Sequence, residues 1–519
     1  METRGRRLHY LVAGALLVLS LFPLWVAARN PTNLNDDAYI TLTYAQNLAA
    51  GRGFVYNWPP ATLGTTTPLL TLLVAGLGAL VPWVPLDTLA VFLTALCWAG
   101  IGWLFFAFRE RWRISVVHVL ILQLVLIGSG WIAYLGMEAY LFAFLLVLAF
   151  SLFFADRIFL AGLAVGFLFL TRGEGVLVLG VMGAIRFGES LLNRWPAQDG
   201  ELGSTGVRNA RSVLRAAVSS WSRLGAGFAF PAGLWSLYAL LTFGHILPNT
   251  LAAKQAQGQI GMTWPFWHRL TREWMPVWGQ RFAVPNLPVL NAWWWLIGVG
   301  FVVAVAHPRY RRWLAFVAWI VLYAVGYAVL GVSAYGWYQL PVHFGAQLLF
   351  ALGLTVIVDR LWHLKAAELL RWGLCATLLI AVAFFLARPT VVAALRYEGD
   401  PRAPSYRRMA RWFREHAEPD ATVAYIEIGY LGYFTQNRIV DVAGLVLPEA
   451  VSHVADGDFA WAFWYYEPDY YVDLSDFDWA LGSIRENPEF ESAYDAVVTL
   501  PGPREADLVI YQRVEPSSS

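Results

Sequence analysis

Two adjacent carboxylates, Asp36 and Asp37, lie in the segment NLNDDAYITLTYAQNL that begins at Asn33. Carboxylates held side by side cannot both ionise freely. The pair raises the pKa of at least one member and suits it to take a proton from a hydroxyl. Directly after them, Ile40, Tyr44 and Leu48 recur at spacing four, which predicts an amphipathic helix. Acids at such a start also cap helices, and Asp37, nearer the helix, is the better cap of the two. The chemical complement of a base is a cation that neutralises an anionic leaving group. The chain has two lysines against 35 arginines, and one of the two is Lys254. Its plainer reading is a surface cation. Arg172 competes for the role, because a guanidinium clamps a phosphate through paired N–H bonds. Its plainer reading is an ion pair with Glu174 or Glu138 that fixes a turn. His245, His343, Tyr335, Trp337 and Tyr338 are candidates for contacts to a substrate ring, with packing or interfacial anchoring as the alternative.

The elements that must position these residues are apolar. Of the 519 residues, 58% are in the apolar set and 14% are charged, against roughly 25% charged in a soluble domain. That excludes a soluble globular chain and a disordered one. The net charge of +1 gives no pull toward nucleic acid. Two distant cysteines, Cys97 and Cys375, and nine scattered histidines without an HExxH pattern indicate neither a disulfide framework nor a metal site. Residues 1–388 hold 27 Lys+Arg against 14 Asp+Glu, whereas 389–519 hold 10 against 22. The change falls where the apolar runs stop. It divides the chain into a membrane module, 1–388, and a soluble acidic domain, 389–519.

Twelve apolar runs begin at Leu8, Pro68, Leu86, Ile114, Ala139, Ile158, Gly175, Leu224, Asn291, Trp313, Pro341 and Trp372. The arginine clusters fall on one side of a membrane only if one early run does not cross. The run from Thr67 to Val81 is the weakest, ending in Pro82 and Pro85, and reads as a surface or re-entrant helix. About eleven spans remain. The N-terminus is then cytoplasmic, and the acidic domain is extracytoplasmic. Three outer segments are long enough to build a site: 29–85, 245–290 and everything after 388. The inner loop 188–222, rich in Arg, Ser and Gly, reads as a tether on the anionic leaflet. In the acidic domain, Thr422–Ile428, Ile439–Val442 and Leu508–Arg513 read as strands and Tyr406–His416 as a helix, an α/β unit.

Several motifs together resemble the GT-C superfamily of membrane glycosyltransferases, which use polyprenyl-phosphate sugars. Members include protein O-mannosyltransferases, lipid A aminoarabinose transferases and cell-wall arabinofuranosyltransferases. The motifs are Asp36-Asp37, a helix to Ala50, Gly51-Arg52-Gly53, the extended Phe54–Asn57, and a second helix from Thr67-Pro68. Gly136-Met137-Glu138 resembles the family's Met-Glu element. Thr171-Arg172-Gly173-Glu174 resembles its Thr-Arg-Pro-Glu turn, with Gly173 in place of proline. His245 to Thr250, containing Pro248-Asn249-Thr250 and followed by Lys254, resembles a segment of the arabinofuranosyltransferase-like branch. So do Ile428-Gly429-Tyr430-Leu431-Gly432-Tyr433 and Asp441-Val442-Ala443-Gly444-Leu445.

The resemblance implies a polytopic α-helical membrane protein with two outer juxtamembrane helices and an extracytoplasmic α/β domain, located in the plasma (inner) membrane. It implies transfer of a sugar from a polyprenyl-phosphate donor to an acceptor hydroxyl on a cell-envelope glycan, lipid or protein. Transfer would invert the anomeric carbon, without metal or cofactor. Asp36 or Asp37 is the implied base. Lys254, Arg172, Glu138, Glu174, His245, Asn249 and Tyr338 are the implied donor and substrate contacts. The alternative is a transporter or flippase of lipid-linked saccharides, although such proteins carry ionisable groups within their spans and internal repeats. A scaffold or receptor that binds through the acidic domain is the remaining reading.

Overall fold

The computed structural model describes residues 2–30, 32–57, 61–128, 131–192, 210–280, 283–284, 287–365, 367–435 and 437–514. Residues 193–209, the middle of the inner loop expected to act as a tether, lie outside the described residues.

Helices stand at all eleven expected span positions, but they differ in reach. Among the described residues, six stretches are long and apolar enough to cross a membrane: Tyr10–Arg29, Leu86–Ala107, Val218–Phe243, Pro308–Leu330, Gly336–Trp362 and Glu368–Arg396. By length and composition the chain is a helical membrane protein. The helices Val116–Ile127, Ala139–Phe154, Ile158–Thr171, Leu177–Leu192 and Ala292–Ala306 have 12 to 16 residues. At 1.5 Å per residue they reach roughly 18–24 Å, short of the ~30 Å hydrocarbon core. Apolar composition overstated them because it also counts residues that leave the α-helix. Trp131–Tyr134 and Gly173–Val176, for example, are 3-10 turns.

Small residues let these helices touch backbone to backbone. A Cβ on Gly162 would lie 2.1 Å from the Leu224 carbonyl oxygen, and one on Gly227 would lie 2.1 Å from that of Phe159. Close approach of this kind is how helices pack where lipid offers no hydrophobic contrast. The outward faces carry bare apolar side chains such as Leu369, Ile380 and Val329.

Two further helices, Asp36–Ala49 and Pro68–Leu80, follow the first span. The first is more deeply covered than a surface helix. Tyr39, Leu42, Tyr44 and Ala45 have essentially no exposure, because the C-terminal unit lies over it. Asn35 caps it, its side chain accepting the Asp37 N–H at 3.1 Å. The expectation that Asp37 is the cap is therefore corrected. Both acids are first-turn residues, and the cap is the amide before them.

A short hairpin, β1 (Ala283–Val284) and β2 (Leu287–Asn291), precedes the helix Ala292–Ala306. The C-terminal unit has the helix Ala403–His416 and five strands: β3 (Thr422–Tyr425), β4 (Arg438–Asp441), β5 (Tyr470–Leu474), β6 (Tyr494–Pro501) and β7 (Asp507–Arg513). The order is β4-β3-β5-β7-β6. β3 runs parallel to both its neighbours, while β5, β7 and β6 pair antiparallel. The strand expected over Thr422–Ile428 stops at Tyr425, and Ile428 opens the helix Ile428–Phe434. β5 and β6 were not expected. All five β5 residues are buried, so it lacks the alternation that marks a one-sided strand.

Candidate functional site: two cavities that share a lysine

The two paired acids have different surroundings. Both oxygens of Asp36 are occupied. Oδ2 accepts the Gly429 N–H and Oδ1 the Tyr430 N–H, each at 2.9 Å. The acid thus fastens the helix Ile428–Phe434 onto the helix Asp36–Ala49. Gly429 is glycine because a Cβ there would come within 1.9 Å of the Asp36 carbonyl oxygen. Asp37 is half-buried, and its carboxylate makes no hydrogen bond or ion pair with another described residue. It faces a cavity of about 280 Å³ lined also by Asn35, Lys254, Gln257, Trp337, Arg402 and Glu427. Burial drives the pKa of Asp36 upward, opposed by Arg402 and by the two N–H bonds. Burial also raises Glu427, and the neighbouring Asp36 charge raises it further.

The two cations contrast in the same way. Arg172 donates to Glu138 at 2.8 Å, to Glu174 at 3.0 Å and to the Tyr327 hydroxyl at 2.7 Å. Two carboxylates thus neutralise Arg172 at the turn that ends Ile158–Thr171. Glu138 and Glu174 are its partners. Lys254 is also buried, yet no carboxylate lies within ion-pairing distance of it among the described residues. Instead its Nζ lies over three rings, 4.6 Å from the centroid of Tyr335, 5.1 Å from Trp337 and 5.5 Å from Tyr338. Ring faces attract a cation but leave its N–H donors unspent. The Tyr338 ring also lies 5.2 Å from the Arg172 guanidinium, so both cations approach the same ring.

Lys254 lines a second cavity, of about 340 Å³, on the other side of the cage. Its walls are mostly apolar: Leu63, Pro68, Phe169, Trp235, Leu251 and Leu330 among others. Thr65, Thr66, Arg172, Glu174 and Tyr338 give it a polar part. The helix Asn249–Gln259 thus places one ammonium between a polar, acid-rich cavity and an apolar one.

The remaining candidates have structural partners. Asn249 lines neither cavity. Its side-chain amide donates to the Gly444 and Leu445 carbonyls at 2.7 and 3.1 Å, tying the second outer loop to the C-terminal unit. His245 is exposed, and its Nδ1 lies 2.7 Å from the Leu247 carbonyl. His343 accepts from the Trp131 indole at 3.1 Å and stacks on Trp278, so it packs within the bundle.

The two motifs of the C-terminal unit are both docking surfaces. Ile428 accepts from the Tyr56 hydroxyl at 2.6 Å, and Tyr430 donates its hydroxyl to Leu34 at 2.8 Å. In the second motif, fully buried Asp441 accepts the N–H groups of Ala443 and Val446. It thereby shapes the loop whose carbonyls meet Asn249 and Gln257. Burial lifts the Asp441 carboxyl from 3.8 to about 6, with no cation to oppose it. Asn57 completes the seam, its side chain exchanging hydrogen bonds with the Ile439 backbone at 2.6 and 3.1 Å.

Sequence reasoning missed Arg402 and Glu427. Arg402 donates to Glu427 at 2.7 and 2.8 Å and to Asp400 at 2.8 and 3.0 Å. The available signal was an acid between an apolar strand and the Ile428-Gly429-Tyr430 motif, where burial is expected on both sides. The family described as a domain of unknown function, DUF8728, matches residues 393–512. The match thus covers the C-terminal unit and the end of the last long helix. No curated protein matches the chain.

Proposed function

We propose that the chain is a GT-C-like glycosyltransferase of the plasma membrane, with about eleven crossings, a cytoplasmic N-terminus and its site on the extracytoplasmic face. It moves a sugar from a polyprenyl-phosphate donor to an acceptor hydroxyl. The observation that carries this reading is the position of Lys254: a buried, carboxylate-free ammonium in the wall common to an apolar cavity and an acid-rich polar one. A lipid-linked phosphate sugar has the same three parts in the same order. Its isoprenoid chain matches the apolar cavity, its phosphate the ammonium, and its sugar the polar cavity.

In this reading Asp37 is the general base and Asp36 is the residue that fixes it in place. Asp37 takes the proton of the acceptor hydroxyl. The acceptor oxygen attacks the anomeric carbon from the face opposite the phosphate, and the bond from that carbon to the phosphate oxygen breaks. The electron pair leaves on the phosphate, where Lys254 meets the charge. Configuration inverts, and the phosphate is a good enough leaving group to need no general acid. The residues supply this route without a metal.

The decisive experiment incubates the purified chain with a panel of polyprenyl-phosphate sugars and a mixed glycoside acceptor pool, following release of polyprenyl phosphate. Consumption of one donor, abolished in Lys254→Ala, is the expected result. If wild-type protein consumes no donor, the reading fails.

A further inference from the structure

The C-terminal unit supplies part of the polar cavity's wall, and the charged pair there has no role in the reaction as written. Arg402 and Glu427 line the cavity opposite Asp37, with Ile426, Ala443, Leu445 and Phe477 around them. Arg402 is immobilised. Asp400 holds one edge of the guanidinium, and Glu427 holds Nη1 with both its oxygens. Arg402 is thus held in place by two carboxylates. Each Glu427 oxygen accepts one bond from Arg402, whereas a carboxylate oxygen has room for two. Its side chain is 18% exposed, and the surface it presents lines the cavity. No other described side chain hydrogen-bonds to it.

The cavity charge restricts what can use that acceptor capacity. Its walls hold three acids, Asp36, Asp37 and Glu427, against two cations, Lys254 and Arg402. Asp36 and Arg402 already have protein partners, and Lys254 lines this cavity as well as the apolar one. Glu427 and Asp37 therefore face the space as acceptors, a setting that welcomes hydroxyl donors. Phe477 gives the same wall an apolar surface for the C–H face of a ring.

We propose that Glu427, held by Arg402, is the residue with which the C-terminal unit grips the acceptor, and that the acceptor is a neutral sugar presenting adjacent hydroxyls. This rests on the glycosyltransferase reading for the word acceptor, but the sugar site itself does not depend on it.

The test is binding of neutral methyl pentosides and hexosides to the full chain in lipid nanodiscs, read by saturation-transfer NMR. Wild-type protein is expected to bind at least one neutral glycoside. Glu427→Gln and Glu427→Asp are each expected to raise the Kd about tenfold, the worth of one hydrogen bond. Glu427→Asp keeps the carboxyl group and retracts it by one methylene, so it separates lost contact from lost folding. If no neutral glycoside binds, or if Glu427→Asp binds as wild type does, the proposal is overturned. If the glycoside binds in this manner while the donor panel is untouched, the sugar site stands and the transferase reading falls.

Discussion

Arg172 and Lys254 lie against the same tyrosine ring, 5.2 and 5.5 Å from its centroid, and both are buried. One is surrounded by Glu138, Glu174 and the Tyr327 hydroxyl. The other meets only aromatic faces. Burying a charge is costly, and a paired charge recovers much of that cost through its partner. Arg172 is therefore mostly spent on holding its turn, with its Nε–H left without a hydrogen-bond partner among the described residues. Lys254 keeps its donors free for an anion from outside the chain. The acids repeat the division, since Asp36 is filled by two N–H groups and Asp37 is unfilled. Proximity to a site thus does not identify the working residue. What remains unspent does.

The comparison breaks most sharply at the acids. Asp37→Asn is expected to lower donor turnover by ~10²–10⁴-fold, the range for loss of a general base, while the melting temperature stays near that of wild type. Asp36→Asn should do the reverse in kind. An amide can accept only one of the two N–H bonds, so one buried donor loses its partner at about 1–3 kcal/mol. Thermal unfolding and turnover measured on both variants decide the assignment. A stable but inactive Asp36→Asn beside an active Asp37→Asn would exchange the two roles.

At the cations the expected effects divide in the same way. Arg172→Ala leaves Glu138 and Glu174 facing each other without a counter-charge, an error of about 3–5 kcal/mol for a broken buried pair. It should unfold at clearly lower temperature. Lys254→Ala should cost roughly 10²–10³ in turnover, the scale for one lost stabiliser of developing charge, with unchanged or higher melting temperature. If Arg172→Ala is as stable as wild type yet inactive, Arg172 is the phosphate's partner and the contrast drawn here is wrong.

This division was only partly legible in the sequence. The order of the motifs singled out Asp36, Asp37, Arg172 and Lys254, and the apolar runs located the helices. The separation of Asp36 from Asp37 had no local signal, because the groups that occupy Asp36 come from Gly429 and Tyr430, almost 400 positions away. The cap was misread for a related reason: Asn35, Asp36 and Asp37 are all good capping residues, and only the backbone turn selects one. Asn249 sits in a substrate-like motif, yet its amide docks a loop that follows β4, another contact distant in sequence. Glu427 and Arg402 belong to the same category, since 25 residues separate them and neither lies in a periodic pattern. What periodicity and motif spacing encode is local, and the site is assembled across the seam between two regions.

That seam gives the smallest of the expected effects, and the one that tests whether docking acids differ from the free one by environment. Asp441 is wholly buried against backbone N–H groups, and its pKa is raised from 3.8 to about 6. A carboxyl raised on folding favours its protonated form in the folded chain. Its contribution to stability is therefore complete below pH 3.8 and is lost as the pH rises through about 6. The loss amounts to at most about 3 kcal/mol across that window. Asp441→Asn cannot ionise. The difference in unfolding free energy between wild type and this variant should shift against wild type from pH 4 to pH 6, and flatten above. A constant difference across the window would mean that Asp441 ionises as freely as an exposed acid. The loop it shapes against Asn249 and Gln257 would then owe its form to some other contact.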